Sequence, residues 1–251
     1  MLTGKEIRKS ILKMTLTAKE GHIASSFSIV EILMAIYRVC ESNKNFTPQN
    51  IILSKGHASF AYYAFLHSIS LMTNEELQSV GSFGSKYYGH LPYIPGDNRF
   101  QFGSGSLGHG LPYAVGLRYA RHLQGCQDPV YCIIGDGEAN EGTFWESLLF
   151  IQKLNFSNLA ILVDANGSSE RAIPIISNIK KMINIFHNID FLESDGHDSK
   201  DIEMNLNSTD RCKVIICHTQ KGFPIPFMIE NPLWHHKIPT VDEAIQIEKY
   251  L

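Results

Sequence analysis

Two polar residues that each follow an apolar run have the clearest capacity for chemistry in this sequence. Asp136 stands in a Gly-Asp-Gly turn after the run VYCII, and Asn166 stands in an Ala-Asn-Gly turn after LAILVD. The two are thirty positions apart, which fits one strand–helix–strand crossover and would bring both side chains to one edge of a parallel sheet. Carboxylate and amide oxygens are hard ligands that suit Mg²⁺, which completes its octahedron with water and phosphate oxygens. Gly137 would leave room for such a phosphate to approach the backbone.

Each turn alone has a simpler interpretation. Gly-Asp-Gly could be only a tight turn after a strand, and Ala-Asn-Gly only a loop that caps a helix. Together, at crossover spacing and after two apolar runs, they favour a site for a metal ion and a diphosphate. A Walker loop is excluded, because the sequence contains no GxxxxGK[ST] motif.

The elements that must position these residues follow from apolar periodicity and capping signals. Helices are predicted over 5–20, from near Ser28, and after Thr73; Ser28 with Glu31 and Thr73 with Glu76 have capping-box spacing. A glycine-rich turn, GSLGHG, opens a helix that runs to about His122. Beyond it, apolar runs at 130–134, 159–164, near 189–193 and at 213–218 alternate with helices, whereas the tail from residue 222 reads as an ordered surface segment. This pattern predicts an α/β fold, a parallel sheet with helices on both faces, as one domain over 1–251.

Composition excludes several classes of function. The 251 residues are 44% hydrophobic with a net charge of −3, which argues against nucleic-acid binding. No apolar stretch long enough for a membrane span is expected, and the charged N-terminus does not resemble a signal peptide. The five cysteines form no CxxC pair, so free thiols and a cytoplasmic location are expected.

The two turns also carry a family resemblance. GDGEANEGTFWESLLF…LVDANG resembles the thiamine diphosphate signature in its transketolase form. Further segments resemble parts of the same family's diphosphate-binding domain, in the same order along the chain: GHIASSFSIVEILMAIY, ILSKGHASFAYYAFL, GSKYYGHLPY, GSGSLGHGLPYAVG and HTQKGFPIPFMIENPLWHHKIPT. The resemblance covers nearly the whole chain and implies the thiamine diphosphate-binding fold.

Carried over residue by residue, the resemblance implies roles for individual side chains. It implies that Asp136, Asn166 and the carbonyl of Ser168 hold Mg²⁺. The residues implied to bind the cofactor are His57, Gly105, Ser106, Leu107, Gly137, Asn166 and His236. The residues implied to act in catalysis are His22, His90, His236 and Glu141, the last near a subunit interface together with Glu146.

Histidines suit this chemistry, because imidazoles donate to developing alkoxides and move protons near pH 7. Eleven histidines are present, and most have a structural explanation; we expect His67, His122 and His187 to be ordinary helical residues. His235 and His236 are adjacent, so only one is expected to face inward, and the spacing to Pro239 favours His236. The role of His109 stays open.

The resemblance also implies what is missing. In this family a glutamate from a pyrimidine-binding domain activates the cofactor, and no residue here matches that domain or the C-terminal domain. Either the enzyme is split over two polypeptides or this is a piece of a longer one. The first is favoured, and the expected partner is a C-terminal transketolase subunit in an α₂β₂ assembly.

The predicted function is transfer of a two-carbon ketol or acyl unit between sugars or sugar phosphates. A 1-deoxyxylulose-5-phosphate synthase-like enzyme and a 2-oxo acid decarboxylase-type component remain alternatives, and the donor could be a pentose phosphate, a nucleotide sugar or pyruvate. A catalytically silent scaffold subunit is disfavoured, because it predicts loss of ligands such as Asp136 and Asn166 that the sequence retains.

Overall fold

The structure is a computed structural model that describes residues 3–20, 22–169 and 173–251. The described residues form five strands and ten α-helices. The strands are β1 Ile51–Leu53, β2 Val130–Gly135, β3 Leu159–Ala165, β4 Ile189–Asp195 and β5 Cys212–His218. The helices are α1 Gly4–Ala18, α2 Ile23–Phe27, α3 Val30–Ser42, α4 Ser59–Ser68, α5 Asn74–Ser79, α6 Gly110–Leu123, α7 Gly142–Leu154, α8 Ile175–Met182, α9 Ser199–Leu206 and α10 Val241–Tyr250.

All five strands run parallel in the order β1-β2-β3-β5-β4. Successive side chains of a strand point to opposite faces, so a strand that is apolar throughout contributes to two cores. In β2, Tyr131 and Ile133 pack into one apolar cluster, and Cys132 and Ile134 pack into the other. The predicted α/β fold with helices on both faces is confirmed.

The predicted helices agree with the structure except where Ser28 was expected to cap one. Thr73 and Glu76 form the predicted capping box at the start of α5. Ser28 does not cap α3, whose N-cap is Ile29 without a side-chain hydrogen bond. Its hydroxyl donates instead to Asp164, 2.8 Å away, because that buried carboxylate requires donors.

The tail is more regular than expected. After the short 3₁₀ turn Pro232–His236, α10 begins with a capping box of Thr240 and Glu243. Its apolar face, including Ala244 and Ile247, packs into the larger apolar cluster. The segment therefore closes one side of the fold.

The expectation that no stretch is apolar enough to cross a membrane is wrong on composition. Among the described residues, Ile23–Ser42 passes that test, with 20 residues and a mean hydropathy of 1.6. Within the structure 83% of this window is buried, as in the core helices of globular proteins, so its apolarity is weak support for a membrane span.

Candidate active site

A cavity of about 210 Å³ lies at the carboxyl ends of β2 and β3. The two strands are neighbours, with Gly135 paired to Asp164, so the residues that follow each strand meet at one edge. Six of the predicted site residues line this cavity: His57, Leu107, Asp136, Gly137, Asn166 and Ser168. The two polar turns therefore lie together at the edge that their crossover spacing predicted.

The oxygen atoms in this cavity fit a hard divalent cation. Asp136 is 4% exposed, and its carboxylate accepts hydrogen bonds from the backbone N–H groups of Gly137, at 2.8 Å, and Ser169, at 3.3 Å. Burial, followed by the nearby charge of Asp164, raises the pKa of Asp136. The hydroxyl of Ser169 is buried without a hydrogen-bond partner among the described residues. A buried carboxylate beside a hydroxyl without a partner is a set of oxygen atoms that suits a hard divalent cation.

Gly137 leaves open space beside these oxygens. A Cβ placed on Gly137 would meet nothing within 4 Å, so the backbone there is accessible to a bulky anion. The turn over residues 138–140 follows directly. The predicted approach of a diphosphate to this turn is therefore sterically allowed.

Two lysines that the sequence reasoning did not single out also line the cavity. Lys55 is buried and pairs with Asp164. Lys221 donates to the Ser168 hydroxyl at 3.2 Å and to Nδ1 of His235 at 2.8 Å. Burial, followed by the charge of Lys55, lowers the pKa of Lys221 to about 8, so the side chain is mostly protonated at pH 7. The cavity therefore has a positive charge that can attract an anion, next to oxygen atoms that can bind a cation.

An imidazole cluster lies beside this cavity, formed by His22, His57, His90, His235 and His236. The His22 ring lies 4.5 Å from His57 and 4.6 Å from His236, and the His57 ring lies 5.3 Å from His90, all between centroids. His22, His90 and His236 line a second cavity of about 510 Å³. The predicted histidines therefore bridge two adjacent cavities, with His57 on the side that contains Asp136.

The pKa shifts keep two of these rings neutral near pH 7. Burial, then the neighbouring His57 and His236, lowers the pKa of His22 to about 3. Burial, then His90 and Lys55, lowers the pKa of His57 to about 4. Neutral imidazole can both accept and donate a hydrogen bond, which an imidazolium cannot.

Hydrogen bonds assign the tautomers of two rings. Nδ1 of His22 lies 3.0 Å from the carbonyl oxygen of His235 and must donate to it, which leaves Nε2 as an acceptor. Nδ1 of His235 accepts from the ammonium of Lys221, which leaves the proton on Nε2. His22 can therefore accept a proton from a ligand at Nε2, while His235 can donate a hydrogen bond to a ligand from Nε2.

The expectation that only His236 of the adjacent pair faces inward is wrong. His235 lines the cavity that contains Asp136, and His236 lines the neighbouring cavity with His22 and His90. The 3₁₀ turn Pro232–His236 allows this, because consecutive residues of a tight helix point about 120° apart. Sequence spacing cannot separate two residues that both contribute.

The glycine-rich turn is held against the cavity by a buried glutamate. Glu138 is 2% exposed and accepts from the Ser54 hydroxyl and from the backbone N–H groups of Gly108 and Gly135, each at 3.0 Å. It joins the segments that follow β1 and β2 to the turn. Gly105 and Ser106 of that turn are exposed beside Leu107 rather than lining the cavity, so the described chain leaves this side uncovered.

Glu141 does not reach either cavity in the described part of the chain. It is exposed and precedes α7, where its Cβ lies close to Gly108. Its predicted catalytic role therefore has no support from the geometry of this chain, while a position near an interface agrees with its exposure.

Comparisons with known proteins show the family of the chain. Residues 4–249 match the family model described as "Transketolase, thiamine diphosphate binding domain". The chain is 32% identical to one subunit of the apulose-4-phosphate transketolase of Actinobacillus succinogenes, over 96% of this chain and 91% of that protein. It is 29% identical to human transketolase, over 98% of this chain but only 41% of that protein.

Solved structures show the same fold. Transketolase from Leishmania mexicana superposes with a TM-score of 0.81 at 19% identity, covering 100% of this chain and 41% of that one. Transketolase from Campylobacter jejuni gives 0.78 at 23% identity, covering 100% and 43%. With the family match over nearly its full length, the chain belongs to the transketolase family and corresponds to its thiamine diphosphate-binding domain.

Proposed function

We propose that this chain is the component of a two-component transketolase that anchors the diphosphate of thiamine diphosphate through Mg²⁺, and that a partner chain completes the active site. The observation that carries the proposal is the cavity at the ends of β2 and β3, where Asp136, Asn166 and Lys221 converge beside the imidazole cluster. Such an enzyme needs three things from this domain: oxygen ligands for a metal ion, a positively charged side chain that attracts the diphosphate, and neutral imidazoles.

In this proposal the residues of the chain bind and orient. Asp136, Asn166 and the Ser168 carbonyl would hold the metal ion, and Lys221 would balance the charge of the diphosphate. When bound, the cofactor supplies an electron sink that stabilises a carbanion on the two-carbon unit. His22 would accept a proton from a substrate hydroxyl at Nε2, and His235 would donate to a substrate or cofactor oxygen from Nε2.

The surface beside the cavity supports the need for a partner. The glycine-rich turn is exposed at the cavity, with Leu107 42% exposed. The helix α7 begins near this turn and exposes Leu149 and Phe150 farther along its length. Exposed apolar side chains on one helix are typical of protein interfaces. We propose that a C-terminal transketolase subunit covers this surface, supplies the activating carboxylate, and assembles with this chain as α₂β₂. Glu141 would then lie at that interface.

The proposed reaction transfers a two-carbon ketol unit between sugars or sugar phosphates. Two relatives that this chain covers over 90% and 91% of their length are each named as one subunit of an apulose-4-phosphate transketolase. Their names support a phosphorylated ketose as donor or product here and a second, separate subunit.

The test is an activity assay with and without the partner. The chain is purified alone and together with its candidate partner, and ketol transfer is measured with thiamine diphosphate and Mg²⁺. We expect activity only from the mixture, loss of that activity in Asp136→Ala, and full activity in a control at an exposed aspartate, Asp128→Ala. Robust turnover by the chain alone would overturn the proposed split, and an active Asp136→Ala mixture would overturn the metal assignment.

A further inference from the structure

Asp164 is a carboxylate without solvent contact beside the proposed metal site. It lies near the end of β3, is 0% exposed, and accepts hydrogen bonds on both oxygens. The donors are the Ser28 hydroxyl at 2.8 Å, Nδ2 of Asn166 at 2.9 Å, the ammonium of Lys55 and the Thr219 hydroxyl. A carboxylate has about four acceptor positions, and four donors meet this one, three at Oδ2 and one at Oδ1.

The hydrogen bond between Asp164 and Asn166 fixes one end of that amide, and a backbone N–H fixes the other. An ionised carboxylate only accepts, so the amide must present its nitrogen to Asp164 and its oxygen to the other side. The oxygen Oδ1 faces the turn that follows, where it accepts from the backbone N–H of Ser168 at 3.0 Å. In the flipped orientation the amide oxygen would lie against the carboxylate, and the NH₂ group would face the position of a cation.

The cost of burying Asp164 indicates that its place is functional. A buried ion pair such as Lys55–Asp164 is often no more stabilising than apolar side chains of the same volume. Here the lysine also contacts the Ser25 carbonyl at 3.3 Å and the Ser28 hydroxyl at 3.1 Å, so the pair is held from three segments of the fold.

We propose that Asp164, fixed by Lys55, is a positioning residue that locks the amide of Asn166 with its oxygen toward the metal ion. This inference rests on the proposed function, because it assumes that Asn166 is a ligand. The buried Lys55–Asp164 pair then has a role in orienting a ligand, although neither metal coordination nor strand pairing itself requires the pair.

A double-mutant cycle on metal affinity tests the inference. Mn²⁺, a spectroscopic substitute for Mg²⁺, is titrated into the chain with thiamine diphosphate and followed by electron paramagnetic resonance. We expect Asp164→Asn to weaken Mn²⁺ binding at least tenfold. In the Asn166→Asp background the same change should cost less than twofold, because a carboxylate at 166 has two equivalent oxygens and no orientation to fix. An equal loss in both backgrounds would show that Asp164 acts only through stability or charge and would overturn the proposal.

A matched lysine separates orientation from folding. Lys213 is also buried, but it lies toward the opposite end of the sheet and donates to the carbonyls of Leu206 and Thr209. Both Lys55→Met and Lys213→Met should lower the melting temperature, whereas only Lys55→Met should weaken Mn²⁺ binding. Equal Mn²⁺ affinities in the two variants would contradict the role of Lys55.

A second readout needs no metal or cofactor. The side-chain NH₂ signal of Asn166 in ¹⁵N–¹H spectra, assigned by its loss in Asn166→Asp, should move in Asp164→Asn while the signals of the core stay in place. An unchanged Asn166 signal would overturn the inference without touching the proposed function. If the Asn166 signal moves in Asp164→Asn but the wild-type chain mixed with its partner and thiamine diphosphate binds no Mn²⁺, the proposed function is overturned instead.

Discussion

Replacing Glu138 by glutamine should destabilise the fold although the two side chains have nearly the same shape. Glu138 accepts three hydrogen bonds from the Ser54 hydroxyl and from the N–H groups of Gly108 and Gly135. Glutamine keeps one acceptor oxygen, and its NH₂ group must face at least one of these donors. A lost hydrogen bond to a charged acceptor and a buried unsatisfied donor each cost about 1–3 kcal/mol. Burial raises the pKa of Glu138, so relief from burying a charge offsets part of the loss.

The expected net loss is therefore about 2–4 kcal/mol, which for a chain of this length corresponds to roughly 5–15 °C in melting temperature. Differential scanning calorimetry at pH 7 measures it. The control is Glu193→Gln, an exposed residue that pairs with Lys180, where a surface ion pair contributes at most about 1 kcal/mol. A melting temperature for Glu138→Gln within about 2 °C of the wild type would refute the reasoning that this carboxylate clamps the three segments together.

Three further results are expected. Gly110→Ala should lower the free energy of unfolding by about 2–3 kcal/mol, because the new Cβ would lie 2.7 Å from the backbone of the segment after β1. Gly116→Ala, in the same helix, meets nothing within 4 Å and should raise that free energy by up to about 1 kcal/mol. Chemical unfolding measures both, and equal effects of the two variants would contradict this explanation. His22 and His57 have pKa values of about 3 and about 4 in the fold against an ordinary value of 6.5, so the unfolded chain binds more protons. These groups should therefore leave the melting temperature unchanged above pH 6.5 and lower it as the pH drops from there toward 4. The melting temperature should fall less steeply with pH in a His22→Asn/His57→Asn variant, and an equally steep fall would argue against buried neutral rings. The affinity for Mg²⁺-diphosphate, measured by calorimetry, should fall as the pH rises through about 8, because Lys221, with a pKa of about 8, then loses its charge. Lys221→Arg should remove that fall because a guanidinium stays charged, and a fall that persists in this variant would contradict the role of Lys221.

What could be predicted from the sequence depended on local patterns. β2 and β3 are recognisable because both of their faces are buried, so the runs are apolar throughout, and parallel pairing then places Asp136 and Asn166 together. β1 was not predicted, since its three residues are too short to show a pattern. α10 was also missed, although Thr240 and Glu243 carried a capping-box signal that could have found it.

Long-range contacts explain the remaining misses. Lys55 and Asp164 are 109 positions apart in sequence, and nothing local shows that they form a buried pair. The same pair explains why Ser28, whose spacing to Glu31 suggested a helix cap, donates elsewhere. Lys221 and His235 gain their roles only when the tail folds back over the ends of β2 and β3. Such roles are set by tertiary neighbours rather than by spacing.

We have proposed that the strand-end cavity holds a diphosphate through a divalent cation. A titration of thiamine diphosphate into the chain, followed by calorimetry, with Mg²⁺ and then with EDTA, tests this proposal. We predict binding that requires Mg²⁺ and is lost in Asp136→Asn, while the metal-free variant melts at the wild-type temperature or higher because a buried charge beside Asp164 has been removed. Binding that is equally strong in EDTA, or that survives Asp136→Asn, would contradict the proposed metal site.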